Sequence, residues 1–336
     1  MKLSSPRPLL AGTALLASAL LTLSGCGSAV APATQPAASG AGSSLENCGR
    51  QVRTAQIPQS VVGMHPAQTE LLVRLGQADK LAGQGQAAAQ QLPAEVASQL
   101  AEVPQIGGAL PPSREDLLAV APDFVYSPTT YEFTAEQGFA SIEQLEQAGA
   151  AVYVAAGGCQ DRRMTGEVTD LFTDLQNLGG IFAAEQAATD LIATSTAQLE
   201  RVSEALEGVA KLRVAQVYVD GTTLQGIGAG IEYDILRLAG AENIFTPEQP
   251  AFDKFFAATI TPEALAAEEP EALVFTVHDP EHEASTREYL ARTFPQMPAV
   301  KHKRLIAVSS TDVFPGTLGN VKAVSHIAEQ LYPEAF

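Results

Sequence analysis

Basic residues are scarce in this chain of 336 residues: Lys and Arg number 20 against 38 Asp and Glu, a formal charge of −18. A surface this acidic repels a phosphate backbone, which argues against nucleic-acid binding and favours solubility and docking on basic partners. An anionic ligand would need a local basic pocket set against that field. Cysteine is sparse too, with Cys26, Cys48 and Cys159 the only three. Two enzyme signatures are missing. No G-x-S-x-G elbow is present for a serine hydrolase, and Gly226-Ile227-Gly228-Ala229-Gly230 breaks the third spacing of the dinucleotide fingerprint. Catalysis is therefore not expected.

Long apolar runs are lacking except at the start. Leu9 to Leu23 is apolar, Lys2 and Arg7 precede it, and Leu23-Ser24-Gly25-Cys26 closes it with small residues before a cysteine. The run is short for a membrane span and its flanks are those of an export signal. Residues 1–25 are read as a lipoprotein signal peptide cleaved before a diacylated Cys26, with an uncleaved anchor or an ordinary signal peptide as alternatives. That segment holds no acid, so its loss brings the charge to −20. The mature protein is expected on the outer face of the cytoplasmic membrane, held by lipid.

From Gly27 to Ser44 the residues are Ala, Pro, Gly, Ser, Thr and Gln, with Val30 the only branched apolar one, too little to bury a core. Residues 26–52 are assigned to the lipidated cysteine and a tether. With Cys26 acylated, Cys48 and Cys159 remain as a pair in an oxidising compartment. A bridge between them would close a loop of about 110 residues and stabilise the fold by roughly 4–5 kcal/mol in the chain-entropy model. Two free buried thiols are the alternative.

The remaining residues, about 290, exceed what one core usually serves. From Ser60 onward short apolar runs alternate with amphipathic stretches, the pattern of alternating strands and helices. Strands are expected at Ser60–Met64, Asp123–Ser127, Ala151–Ala155, Arg213–Val219, Ala272–Val277 and Leu305–Ser309. Helices are expected at Ala67–Leu75, Ser113–Val120, Ile231–Ala239, Pro280–Thr293 and Asn320–Leu331, with Ser113 and Asp116 in capping-box spacing. Ala184 to Leu206 contains neither Pro nor Gly and reads as one long helix. The expected fold is α/β: an N-terminal lobe (53–183) and a C-terminal lobe (209–336), both Rossmann-like. A single rigid helix (184–208) joins them and limits hinge opening, with a ligand cleft between the lobes.

Six ordered motifs resemble those of one family: Gly63-Met64-His65-Pro66-Ala67-Gln68-Thr69-Glu70-Leu71, Leu75 to Gly83, Val103 to Gly107, Ser113 to Asp123, Ala239 to Phe245 and Thr261-Pro262-Glu263-Ala264-Leu265. They are similar to the substrate-binding lipoproteins of type II ABC importers for ferric siderophores, haem and cobalamin, class III periplasmic binding proteins. The resemblance covers Gln56 to Pro333. It implies a monomeric receptor that delivers its ligand to a permease dimer with a cytoplasmic ATPase, and it matches Glu115 and Glu263 to the two acids that meet permease arginines. Exposed carboxylates on two lobes would steer and register the protein on a basic partner, although helix-start acids also favour any helix dipole. A scavenging or adhesion lipoprotein without a permease would not need them.

Ligands of open α/β sheets sit beyond the carboxyl ends of strands. His65, Tyr126, Tyr131, Tyr218, Tyr233, His278 and Phe314 are accordingly candidates, as are Arg162 and Arg163 beside Cys159. An arginine pair suits the oxygens of an anionic ferric chelate. A ferric siderophore is the expected ligand. Haem is the alternative through His65, Tyr126, Tyr233 or His278. Cobalamin is disfavoured because its relatives wall the cleft with tryptophan, which this chain lacks. No resident metal or cofactor is expected: Pro280 starts a helix between His278 and His282 and separates that pair.

Overall fold

The computed structural model describes residues 42–336. Lys2, Arg7, the apolar run and Cys26 lie outside them, and among the described residues no helix is long and apolar enough to cross a membrane. The first described element corrects the C-terminal end of the expected tether, whose residues 26–41 lie outside the described ones. β1 (Ser44–Asn47) and β2 (Arg50–Arg53) form an antiparallel hairpin. It is fastened to the first lobe: the Asn47 amide donates to the Val154 carbonyl at 2.7 Å and accepts from the Val154 N–H at 2.8 Å, and Cys48 is bonded to Cys159. Val52 is 4% exposed. The small residues before it dominate the composition of that stretch and conceal Asn47, Cys48 and Val52, which anchor the hairpin.

The first lobe holds β3 (Val61–Gly63), β4 (Leu81–Gly85), β5 (Gln105–Ile106), β6 (Phe124–Ser127) and β7 (Ala151–Val154) in the order β5-β4-β3-β6-β7, every pairing parallel. Its helices are α1 (Pro66–Arg74), α2 (Ala94–Ala97), α3 (Arg114–Ala119), α4 (Ile142–Gln147) and α5 (Asp170–Phe182). β6 and β7 are buried on both faces, so they read as continuous apolar runs. Local chemistry sets the helix starts. The His65 ring nitrogen accepts from the Ala67 N–H ahead of α1, where Pro66 pre-sets the first turn. At α3 Ser113 accepts from the Asp116 N–H, but the Asp116 carboxylate takes the Ser113 hydroxyl rather than its N–H, as befits a side chain one methylene shorter than Glu. Ser141 and Gln144 complete the reciprocal box at α4.

α6 (Glu185–Ala205) then crosses to the second lobe as 21 helical residues, about 31 Å at the usual rise. The second sheet contains β8 (Arg213–Asp220), β9 (Thr223–Ile227), β10 (Glu242–Asn243), β11 (Ala257–Thr259), β12 (Ala272–Val277) and β13 (Leu305–Ser309) in the order β11-β9-β8-β12-β13, with β10 also against β8. It is mixed: β9 and β11 run antiparallel to their neighbours. α7 (Gly230–Leu238), α8 (Pro262–Ala267), α9 (Pro280–Thr293), α10 (Pro298–Lys301) and α11 (Gly319–Leu331) complete the lobe. One hydrophobic cluster runs from Phe124 and Leu175 through Val202 of α6 to Val214, Ile235 and Val324. A core shared through the linking helix resists a wide opening of the lobes, because separation would expose it to water.

Candidate ligand cleft between the lobes

The strand ends of the first lobe and the edge of the second enclose a cavity of about 410 Å³. The N-lobe wall is polar: Gln86 follows β4, Thr129, Tyr131 and Glu132 follow β6, and Gly157, Gly158 and Arg163 follow β7. The C-lobe wall is apolar apart from one residue, with Ala229 to Ile231, Phe255, Phe256, Phe314 and Pro315 around Glu232. A larger cavity of about 480 Å³ lies wholly within the first lobe, walled by Gln84, Gln90, Gln91 and aliphatic residues. It lacks the convergence of aromatic and ionisable groups from two lobes that marks the cleft as a ligand site.

Close backbone approach holds the cleft together. The Gly230 N–H donates to the Met164 carbonyl at 3.1 Å. Gly230 has φ +70°, and a Cβ there would lie 2.7 Å from the Arg163 carbonyl, so only glycine fits. Phe314-Pro315-Gly316 reaches from the second lobe into the first. Tyr126 donates its hydroxyl to the Gly316 carbonyl at 2.9 Å, the Gln68 amide donates to the Pro315 carbonyl at 2.9 Å, and the His65 ring lies 4.5 Å from that of Phe314.

Each lobe contributes one carboxyl, anchored in the same way. Glu132 is 3% exposed, and its Oε2 accepts from Thr129 at 2.6 Å and Ser127 at 3.2 Å. Glu232 Oε2 accepts from the Gln216 amide at 2.8 Å and the Thr276 hydroxyl at 2.9 Å. Burial raises the pKa of both acids, and that of Glu232 reaches about 7.

The structure sorts the expected contacts. Tyr131, Arg163 and Phe314 line the cavity. Arg162 does not, since Asp170 draws its guanidinium away at 2.6 and 2.7 Å, so the expected basic pair is a single cation. Arg163 stands over the Phe255 ring, 5.4 Å from its centroid. Tyr126 is fully buried and its hydroxyl is spent on Gly316, which corrects its assignment as a contact. His65 is likewise a buried helix cap behind Phe314, its pKa lowered to about 4 by desolvation. Tyr233 does not reach the cavity. Tyr218 and His278 do not line it either. They sit side by side at the ends of β8 and β12, the Tyr218 hydroxyl 2.9 Å from His278 Nε2. His282 stacks on His278 with its own Nε2 2.8 Å from the Val219 carbonyl, so each ring has a nitrogen already engaged.

Glu115 and Glu263 are exposed at the second positions of α3 and α8. Sequence reasoning missed Gln86, Glu132, Glu232 and the Phe255-Phe256 pair. The adjacent phenylalanines were visible in a chain with 6% aromatics, but they stand directly before β11 rather than at the end of a strand, and the strand-end rule passed over them.

A family model described as periplasmic binding protein matches residues 61–311. A curated relative, the uncharacterized ABC transporter substrate-binding lipoprotein YvrC of Bacillus subtilis, is 23% identical over 280 residues, 83% of this chain and 82% of its own length. Two solved structures share the fold. An ABC-type Fe3+-hydroxamate transport system from Saccharomonospora viridis gives a TM-score of 0.70 at 21% identity, covering 86% of this chain and 98% of that one. A periplasmic heme binding protein from Pseudomonas aeruginosa gives 0.65 at 22%, covering 83% and 94%.

Proposed function

The chain belongs to the periplasmic binding protein family, and we propose that it captures a ferric siderophore of low net charge, of the hydroxamate class, and delivers it to an ABC importer. The observation that carries this reading is the make-up of the cleft. An aromatic wall faces a polar one, and Arg163, the only cation lining it among the described residues, is offset by Glu132 and Glu232. A ferric tris-catecholate is multiply anionic and calls for several basic side chains. A ferric tris-hydroxamate has a neutral centre and apolar arms, which suit Phe255, Phe256 and Phe314. The likeness to a hydroxamate transport structure and to an ABC transporter lipoprotein supports the same direction. The lobes share a core, so binding would use a largely preformed cleft.

In this reading the protein is a non-enzymatic monomer anchored outside the cytoplasmic membrane through Cys26. Glu115 and Glu263 dock it on the two permease subunits. Calorimetric titration against a ferric trihydroxamate, a ferric tricatecholate, haemin and cobalamin tests the ligand class. Submicromolar binding of the trihydroxamate is expected. Binding of haemin alone overturns the reading and brings Tyr131 forward as the one cavity-lining tyrosine among the described residues. Charge reversal of both docking acids is expected to abolish uptake while leaving binding intact, whereas a scavenging lipoprotein would be indifferent to it.

A further inference from the structure

We propose that Glu232 sets the charge of the preferred ligand. Its carboxyl accepts a hydrogen bond from a protonated amine on the chelate, so the favoured substrates are cationic ferric hydroxamates. This rests on the hydroxamate reading above.

Glu232 is the third residue of α7 and lines the cavity. Gln216 on β8 and Thr276 on β12 both donate to its Oε2. No hydrogen bond among the described residues reaches its other oxygen. Two strands thus hold the carboxyl in one orientation and leave one oxygen available to the cleft, the arrangement expected of a preorganised recognition group. No basic side chain among the described residues forms an ion pair with it. Desolvation raises its pKa, and a ligand cation entering the cavity would supply the missing counter-charge. Glu132 lines the same cavity from the other lobe. Arg163 stands over the Phe255 ring. The chain's net charge of −18 favours a cationic ligand over an anionic one in general. The plainer role, a tie between α7 and the sheet, needs only a neutral acceptor and would not depend on ligand charge.

The test uses two ferric chelates that differ by one charge: ferrioxamine B, with its terminal ammonium, and the N-acetylated form. Calorimetry on the intact protein is expected to show the ammonium form binding about tenfold tighter, the scale of one charge-assisted hydrogen bond. Glu232→Gln is expected to bring the two affinities within about twofold of each other. Equal binding of both chelates by the unmodified protein overturns the inference and leaves the hydroxamate reading standing. So does an unchanged preference in Glu232→Gln. Binding of neither chelate overturns the hydroxamate reading itself. A melting curve establishes that the variant is folded, and if it is not, the comparison of the two chelates on the unmodified protein decides alone.

Discussion

The two walls of the cleft are built by different means. In the first lobe every strand pairing is parallel, so the ends of β4, β6 and β7 deliver Gln86, Tyr131 with Glu132, and Arg163 to one place. In the second lobe the antiparallel β9 turns the chain back beside β8. What reaches the cleft is the start of α7, the loop before β11, and the loop after β13. The parallel sheet presents polar loop residues, and the mixed one presents aromatic residues from its edge. A strand-end rule therefore works for one wall and falls short at the other.

The largest expected effect separates the lobes by stability. Cys48→Ser with Cys159→Ser removes the bridge that ties the hairpin to the N-lobe, across a sequence separation of 111 residues. A loss of about 2–5 kcal/mol is expected in denaturant unfolding. Hydrogen exchange should show the loss in the first sheet before the second, and equal deprotection of both would break the comparison.

Each lobe also holds a carboxyl whose pKa desolvation raises to about 7, the buried Asp174 in the first and the half-buried Glu232 in the second. Both folded values lie above the unfolded ones, so the native state retains a proton that the unfolded chain releases. The associated stability is complete below about pH 4 and is lost as pH rises to about 7. Asp174 is fully buried, bonded to the Tyr153 hydroxyl and the Ala156 N–H, and its effect should be on the order of 4 kcal/mol. Glu232 opens on the cleft and should contribute less. Urea unfolding from pH 4 to 8 checks this, since Asp174→Asn should flatten the slope more than Glu232→Gln.

Glycine substitutions give a smaller contrast. Gly316 has φ +67°, and a Cβ there would meet the Tyr126 hydroxyl oxygen and, at 2.5 Å, Ala155 Cβ, so alanine should cost about 2–4 kcal/mol. Gly221, in the β8–β9 turn, has φ +58° and open space, and alanine there should cost only about 1 kcal/mol. Equal midpoint shifts in urea would show that Gly316 does not latch the lobes.

The adjacent arginines give the smallest effect. Arg162→Ala breaks a half-exposed ion pair with Asp170 and should cost under about 1 kcal/mol of stability, without changing ligand affinity. Arg163→Ala should leave stability unchanged and shift chelate affinity a few-fold. Calorimetry and thermal melts on both variants would show whether the partner or the sequence position decides the role of an arginine.

How far the site was legible differs by residue. Tyr131, Arg163 and Phe314 follow parallel strands and were accessible to that rule. Tyr126 ends a strand as well, but strand alternation cannot report that Gly316, 190 residues later, comes close enough to take its hydroxyl. Arg162 and Arg163 are chemically equivalent in the sequence, and only the placement of Asp170 on α5 separates them. Glu132 and Glu232 carried no local signal, because ordinary acids gain significance only when burial removes their water.

Periodicity, propensity and turn chemistry act over a few residues, so β3, β6, β7, β8, β12 and β13, the long linking helix and the two-lobed α/β class could be read directly from the chain, whereas the shorter strands β1, β2, β5, β10 and β11, and β4 and β9, were not. The bridge between Cys48 and Cys159 was also expected, as the two cysteines left after lipidation, and the structure contains it. The hairpin at the start of the described residues and the meeting of Phe255 and Phe256 with Glu132 depend instead on contacts between residues far apart in sequence. Those contacts exist only once the core has packed, and the tertiary structure alone decided them.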